Sequence, residues 1–569
     1  MAKADVIYVN GYIYTADKQD TVCEAIAIKN GYIIATGSTQ EINNQNYIDN
    51  QNYIDNQTTI YDLKGKTMMP GIIDSHLHTF WGGMQLSSCN LNYQSLTIDD
   101  TLAIIQQYLD KDSVNHNNHW LQVRGWLRQE ILPVGTDITR FDLDRLNTSR
   151  PVILFSNDCH TLVANSIALE KFGLDRNTPE PTDGKIGRSA DGELNGILED
   201  APAMRAFDSI SKLTDEQAVH VAKLSQTELN KQGVTAVMDA RITETQADAF
   251  LQLQKQDQLT IRLFGARELP PDDVSSIEDI PNVINKVKQF AARYDDKNWQ
   301  PKPGIKVSHV KLFVDGVMQQ PLMTARLLKP YNLADEKDRY GDLYYSIEML
   351  DALILESSKA GFHPHMHTVG EGAIEVVLNA IEKMRNALPD ADIRPSTAHN
   401  ELSASHQFAR YKKLNAGVVF SFQWAGCSSA MVEQYETLFG KERYHGLEAH
   451  GQYIDAGVHC AFGSDWPIDP LNEWYDFQIA MTRQIDSDHP RLNSDRNLTA
   501  KEVLRCATIG AAYILKQDEY IGSIEKGKFA DLIILDRNPF TIAATDIQNV
   551  KVLTTIIGGK IVYQQDKSL

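Results

Sequence analysis

The sequence predicts an α/β protein: a TIM-type (β/α)8 barrel with an insertion, accompanied by a small β-sandwich built from both termini. From Thr67 onward, short apolar runs alternate with longer helix-like stretches, the pattern of a parallel sheet with crossover helices. Both ends of the chain read instead as β-hairpins. Finally, His76, His78, Lys311, His367, His399 and Asp465 stand at or near the ends of short apolar runs, in an order that a closed parallel barrel would gather at one face.

Residues 1–68 are assigned to the N-terminal half of the sandwich. Val6–Tyr14 carries Asn10-Gly11 between β-prone runs, and Ala25–Ile34 carries Asn30-Gly31. Asn-Gly accepts the positive φ of a tight turn, so both stretches are expected to be hairpins. Between Asn44 and Asp55 the hexapeptide Asn-Gln-Asn-Tyr-Ile-Asp occurs twice in tandem. It reads as a polar surface-loop expansion, which costs little stability and carries no chemistry.

Residues 69–515 are assigned to the barrel. Met69–Asp74, Gly233–Met238, Val307–Phe313 and Gly457–Phe462 are candidate strands. A helix is expected over Leu213–Gln232, opened by Thr214-Asp-Glu-Gln217 as a capping box. The stretch from about 82 to 200 is read as the insertion, because it delays the second clear barrel strand. Residues 516–569 return to the sandwich, with a strand at Ala530–Leu535 and a hairpin over Val552–Tyr563 turning at Gly558-Gly559.

A chain of 569 residues is too long for one simple domain, and 42% hydrophobic residues can fill a large core. The formal net charge of -20, with no run of Lys or Arg, argues against nucleic acid, whose phosphates need clustered positive charge. No apolar stretch is long enough to span a bilayer, and the first residues lack the apolar core of a secretion signal. Cys23, Cys89, Cys159, Cys427, Cys460 and Cys506 show no pairing pattern and are expected to be reduced. A cytoplasmic protein with a small-molecule substrate is the expectation.

Alternation along Ile72–His78 turns Asp74, His76 and His78 to one side. Two neutral imidazoles so placed can grip one metal ion, with Asp74 a layer deeper and orienting a histidine; the alternative is a pair of core histidines with ordinary hydrogen bonds. His363, His365 and His367 also share a register. They climb the barrel in layers, so His367, at the C-terminal end, is the ligand candidate, His365 a supporting residue and His363 structural. Thr397-Ala-His399 ends another strand, and Asp465 offers a carboxylate before a proline-containing loop. A buried Lys311 beside cations would be repulsive unless carbon dioxide converted it to an anionic carbamate; an ordinary solvated lysine is the plainer reading.

Five blocks carry a family resemblance: Pro70–His78, Val310–Gly316, His367–Ala373, Gly463–Pro467 and Ile521–Leu532. In this order they resemble the amidohydrolase superfamily, and within it the YtcJ-like branch that includes N-substituted formamide deformylases. The resemblance implies His76 and His78 on a first metal, carboxylated Lys311 as a bridge, His367 and His399 on a second metal, and Asp465 touching the first. It implies zinc, as two ions or one, and a homodimer. Asn157-Asp-Cys-His160 and Val163-Ala-Asn-Ser166 look like the branch's substrate-side segment, with Cys159 replacing a glycine. Gly316–Thr324 and Glu371 also depart from the branch's usual pattern.

The function so implied is hydrolysis of an amide-type, non-peptide C–N bond of a small molecule by metal-activated water, with Asp465 as the catalytic proton carrier. Deamination or cyclic amide opening on the same site is the alternative, and a non-catalytic ligand sensor a further one. Trp126, His160, Asn165, Trp424 and Trp466 are the candidate substrate-binding residues; aromatic walls would favour an apolar or aryl group.

Overall fold

The computed structural model describes residues 3–565, apart from 44–52, 112–119, 127, 129–130, 134, 158–160, 182–183, 211–212 and 320–321, and apart from the side chains of 200, 201 and 208. Of the tandem hexapeptide, 44–52 fall outside the described residues, while Tyr53 and Ile54 pack against a buried cluster with Ala4 and Ile7. The chain divides into two compact units. One comprises Met1–His78, Gln226–Asp465 and Asn472–Leu569; the other comprises Thr79–Ser225 and Trp466–Leu471.

The first unit is dominated by an eight-stranded parallel sheet. Its strands, in chain order, are β1 Ile72–Leu77, β2 Val234–Asp239, β3 Arg262–Glu268, β4 Ile305–Phe313, β5 His363–Thr368, β6 Ser396–His399, β7 Gly417–Phe420 and β8 His459–Phe462. Each pairs in parallel with the next. Helices such as Glu244–Lys255, Ile280–Tyr294, Ile347–Lys359 and Glu371–Ala387 make the crossovers that parallel strands require. The first and last strands meet through Ser75 Oγ donating to Phe462 O at 2.7 Å and Asp465 N donating to His76 O at 2.8 Å. The sheet is thus a nearly closed TIM-type barrel, as the alternation of strand and helix predicts. Ile73, Ala236, Met238, Phe264, Val419 and Ala461 pack in one buried apolar cluster with Ile514 and Leu515.

Two smaller sheets draw on the ends of the chain. One orders Tyr32–Gly37, Ala25–Lys29, Val6–Val9 and Thr59–Asp62; the other orders Lys560–Gln564, Val552–Ile557, Leu532–Leu535, Thr67–Pro70, Tyr12–Tyr14 and Val22–Cys23. The expected turns at Asn30-Gly31 and Gly558-Gly559 are present, with φ of 50° and 79° in the first and 54° and 76° in the second. The hairpin expected at Asn10-Gly11 does not form. Val6–Val9 and Tyr12–Tyr14 enter different sheets, so this dipeptide carries the chain from one to the other. Gly11 is needed there for closeness: a Cβ would sit 2.3 Å from Leu63. The crossing buries both halves, because Tyr8 from one strand and Ile13 from the other join the same apolar cluster with Ile26, Ile28, Leu532 and Ile534.

The second unit contains a six-stranded sheet ordered Gly184–Arg188, Leu194–Asp200, Thr161–Ala164, Val152–Ser156, Leu121–Trp126 and Cys89–Asn90. Leu121, Val123, Trp126, Val152 and Leu154 pack in one buried cluster with Leu102 and Ile105 of the helix Ile98–Lys111. The helix Asp215–Gln232 opens with the predicted box, Thr214 N donating to Gln217 Oε1 at 2.9 Å and Gln217 N to Thr214 Oγ1 at 3.3 Å. The cysteines among the described residues are free thiols. No helix among the described residues is long and apolar enough to cross a membrane.

Candidate metal centre

Parallel strands bring their C-terminal ends to one rim of a barrel, and six distant residues meet there. His76 lies near the end of β1, His78 just beyond it, Lys311 near the end of β4, His367 near the end of β5, His399 at the end of β6, and Asp465 three residues after β8. Nitrogens of His76 and His399 and an oxygen of Asp465 all lie within 4.8 Å of one another. Nε2 of His76 and Nε2 of His78 are each 3.4 Å from Asp465 Oδ1. Lys311 Nζ is 3.5 Å from His76 Nε2. The rings of His367 and His399 are 4.7 Å apart, those of His76 and His399 4.8 Å.

The backbone is held in an uncommon conformation at two of these positions. His399 has φ of 79° and Asp465 φ of 57°, the left-handed region that side chains rarely adopt. Such strain persists where surroundings enforce it, and it clusters at functional sites. Here Asp74 does part of the enforcing. The sequence assigns it to orienting an imidazole; instead its carboxylate accepts from Ser464 Oγ at 2.5 Å, Ser464 N at 3.1 Å and His76 N at 3.2 Å. It thereby ties β1 to the turn that presents Asp465.

Each ring also has one nitrogen engaged. Nδ1 of His76 is 2.6 Å from Nε2 of His365, whose own Nδ1 is 2.8 Å from Ser396 Oγ. His365 thus supports His76, as its layer in the barrel predicts. Nε2 of His367 is 3.2 Å from Gly316 O, and Nδ1 of His399 is 3.5 Å from Ser421 Oγ. A neutral ring that donates from one nitrogen keeps a lone pair on the other. Burial, reinforced by the Lys311 charge, holds His367 down at about 4, and burial keeps His76 and His399 well below the ordinary imidazole range. Burial likewise brings Lys311 down to about 7. For Asp465, burial is outweighed by the His78 hydrogen bond and by neighbouring positive charge, which keep it ionised.

These features fit a divalent cation. Asp465 Oδ1 is buried and lies 3.4 Å from Nε2 of both His76 and His78, and the rings of His76 and His399 are neutral. An ionised carboxylate and uncharged ring nitrogens are the donor set that zinc and similar ions take.

The aromatic and polar candidates separate. Trp424 stacks on His399, with ring centroids 4.8 Å apart and planes at 24°, so it borders the cluster. Trp126 belongs to the buried core of the second unit. Asn165, expected at the substrate, is spent on the backbone: its Oδ1 accepts from Ala168 N at 2.9 Å and Val152 N at 3.0 Å, and its Nδ2 donates to Arg150 O at 3.1 Å. It is a helix N-cap, the ordinary use of asparagine before Ser-Ile-Ala-Leu. Trp466, within the second unit, lies against Gly82, where a Cβ would be 2.2 Å from the ring. His160 lies outside the described residues.

The sequence reading passed over Arg241 and Glu268, just past or at the ends of β2 and β3, which pair at 2.5 Å and whose charges both reach Lys311. It also passed over Asp315, buried and accepting from Arg326 N at 2.9 Å, Val369 N at 3.0 Å and Gly370 N at 2.9 Å. A charged residue at or just past a barrel strand end is the signal that could have found all three.

A barrel with ionisable side chains converging at its C-terminal rim is the architecture of a barrel hydrolase, and comparison with known proteins agrees. Residues 59–563 match the amidohydrolase family, and the chain belongs to that family. It is 27% identical to the amidohydrolase YtcJ of Bacillus subtilis, over 98% of this chain and 99% of that one. It is 26% identical to the N-substituted formamide deformylase of Arthrobacter pascens, over 99% of each. Among solved structures, a metal-dependent hydrolase from Pyrococcus horikoshii shares the fold with a TM-score of 0.73 at 23% identity, covering 95% of this chain and 99% of that one. Zinc-complexed atrazine chlorohydrolase TrzN from Arthrobacter aurescens gives 0.53 at 14% identity, covering 98% and 95%.

Proposed function

We propose that this member of the amidohydrolase family hydrolyses an amide-type, non-peptide C–N bond of a small molecule, using zinc held at the barrel rim. The observation that carries this reading is the convergence of neutral His76 and His399 on the buried, ionised Asp465 carboxylate. His76, His78 and Asp465 would hold one ion, and His367 and His399 a second, with Lys311 shared between them as its carbamate; a single ion with unmodified Lys311 is the simpler case. Bound zinc supplies acidified water and a polarised carbonyl.

Asp465 takes the proton from the attacking water and returns it to the departing amine nitrogen, so that acid and amine leave and the carboxylate is restored. His365 and Ser396 fix the His76 ring, and Asp74 fixes the turn that carries Asp465. Trp424, stacked on His399, offers a flat apolar wall to the substrate. N-substituted formamides are the first substrates to try, given the activity named for the Arthrobacter pascens relative. The two terminal sheets are read as one β-sandwich, and the protein as a cytoplasmic homodimer.

The test is Asp465→Asn. The variant should retain zinc and lose at least about 10²-fold in kcat, as removal of a general acid–base does. Formate or another carboxylate as product supports amide hydrolysis, whereas ammonia as product points to a deaminase. Near-normal turnover in the variant refutes the role given to Asp465.

A further inference from the structure

A cavity of about 550 Å³ opens at the opposite end of the barrel, the end where strands begin. It lies between the helix Ile280–Tyr294, the starts of β4 and β5, and the segment 516–520. Lys306 in its wall and Lys311 at the rim lie on the same strand, five residues or roughly 16 Å apart along β4 at about 3.3 Å per residue. The cavity is therefore separate from the metal centre, and a ligand can occupy it whether or not the rim holds zinc.

The cavity presents more donors than the fold satisfies. His363, with 6% of its surface exposed, lines it. Its Nδ1 accepts from Arg394 N at 3.2 Å, so the neutral ring carries its proton on Nε2, which has no hydrogen-bond partner among the described residues. An N–H in the cavity wall with no protein acceptor is available to an acceptor arriving there. Arg394 donates to Tyr513 O at 2.8 Å and Asp518 Oδ1 at 2.6 Å, while its buried Nε has no hydrogen-bond partner. Lys288 and Lys306 face the same space without an ion pair among the described residues; Lys306 Nζ lies 5.1 Å over the Trp299 ring.

The acids in the wall are already engaged or turned outward. Asp518 is taken by Arg394, Asp295 accepts from Val307 N at 2.6 Å, and Glu519 is exposed. Lys516, also in the wall, pairs with Asp392, and Lys306 lies over Trp299 and is drawn to Asp295, which leaves the Lys288 ammonium and one imidazole N–H without a partner of this kind among the described residues. Phe362 and Tyr520 add apolar wall, enough to seat an organic group beside the charge.

We propose that this cavity is a binding site for a compact anion, a carboxylate or phosphate group carried on a small organic molecule. The anion would accept from His363 Nε2–H and be neutralised by Lys306 and Lys288, as charge-assisted hydrogen bonds favour. β4 and β5 run from this site to Lys311 and His367, so an occupant here touches the strands that carry the rim residues.

The experiment is calorimetric titration of the metal-loaded full chain with sodium benzoate and, separately, with inorganic phosphate. It is repeated in Lys306→Gln, Lys288→Gln and His363→Gln. At least one probe should bind the wild type and weaken about tenfold in each variant, the loss of one charge-assisted contact, with zinc content unchanged. The stronger probe distinguishes a carboxylate from a phosphate. Should His363→Gln fail to fold, as judged by circular dichroism, exposed Lys288→Gln still decides the matter. The proposal is overturned if neither probe binds, or if binding is equal in the wild type and the lysine variants, which would place the anion at the metal centre.

Discussion

His76 is fixed by residues that the chain supplies hundreds of positions later. Its Nδ1 meets His365, and its backbone shares the Asp74 carboxylate with Ser464. A metal-binding imidazole is normally oriented by an acceptor on its second nitrogen, and loss of such a partner weakens metal binding about 10- to 100-fold. His365→Gln should therefore lower zinc affinity by roughly that factor, measured by competition with a chelator, while leaving the thermal stability of the metal-free protein little changed. Equal affinity in both proteins would remove His365 from this role. The spacing His76-x-His78 and the strand-end positions of His367, His399 and Asp465 could be read from sequence because strand periodicity is local. Asn165 was misplaced for the complementary reason: an N-cap and a substrate ligand use the same side chain, and only the helix after it tells them apart. The His76–His365 contact has no local signature at all.

At the scale of single elements, β5 gives its three histidines three environments: His367 at the rim, His365 behind His76, and His363 at the strand's start. Burial and the nearby charges of His309, Lys516 and Arg394 hold His363 down at about 2, against 6.5 in an unfolded chain. Between those values the unfolded chain binds a proton that the folded chain does not, so stability falls as pH drops below about 6.5. His363→Gln should flatten that fall between pH 6.5 and 4 in urea-unfolding midpoints; an unchanged acid-side slope would contradict it. β3 carries the other decisive contact. Arg262 Nε and Nη2 donate to Asp531 at 2.6 and 2.9 Å, with both side chains essentially buried, joining the barrel to the segment that leads into Leu532–Leu535. Asp531→Asn leaves a buried guanidinium half-matched and should cost about 3–5 kcal/mol in denaturant unfolding. A cost under about 1 kcal/mol would mean the pair is effectively solvated. The turns at Asn30-Gly31 and Gly558-Gly559 were legible because each closes two strands of the same sheet. Asn10-Gly11 was not, because the same dipeptide can also carry a chain between sheets, and long-range burial of Tyr8 and Ile13 decides which.

For the whole molecule, alternation of strand and helix was sufficient to predict a parallel barrel, because parallel strands admit few other connections. The hairpin character of both ends suggests a joint sandwich; what the structure shows is narrower, the pairing of Thr67–Pro70 with Leu532–Leu535 in one sheet. How closely the rim residues approach could not be read, since it depends on barrel closure: Asp465 reaches His76 only because its amide bonds to the His76 carbonyl across the β1–β8 seam. The central claim is that this closure builds a cation site. Zinc-edge anomalous diffraction from crystals grown with zinc tests it most directly. The account predicts anomalous density bounded by His76 Nε2, His399 and Asp465 Oδ1, with His78 in reach. Those side chains standing apart from the anomalous peak, or no peak at the rim, would contradict it.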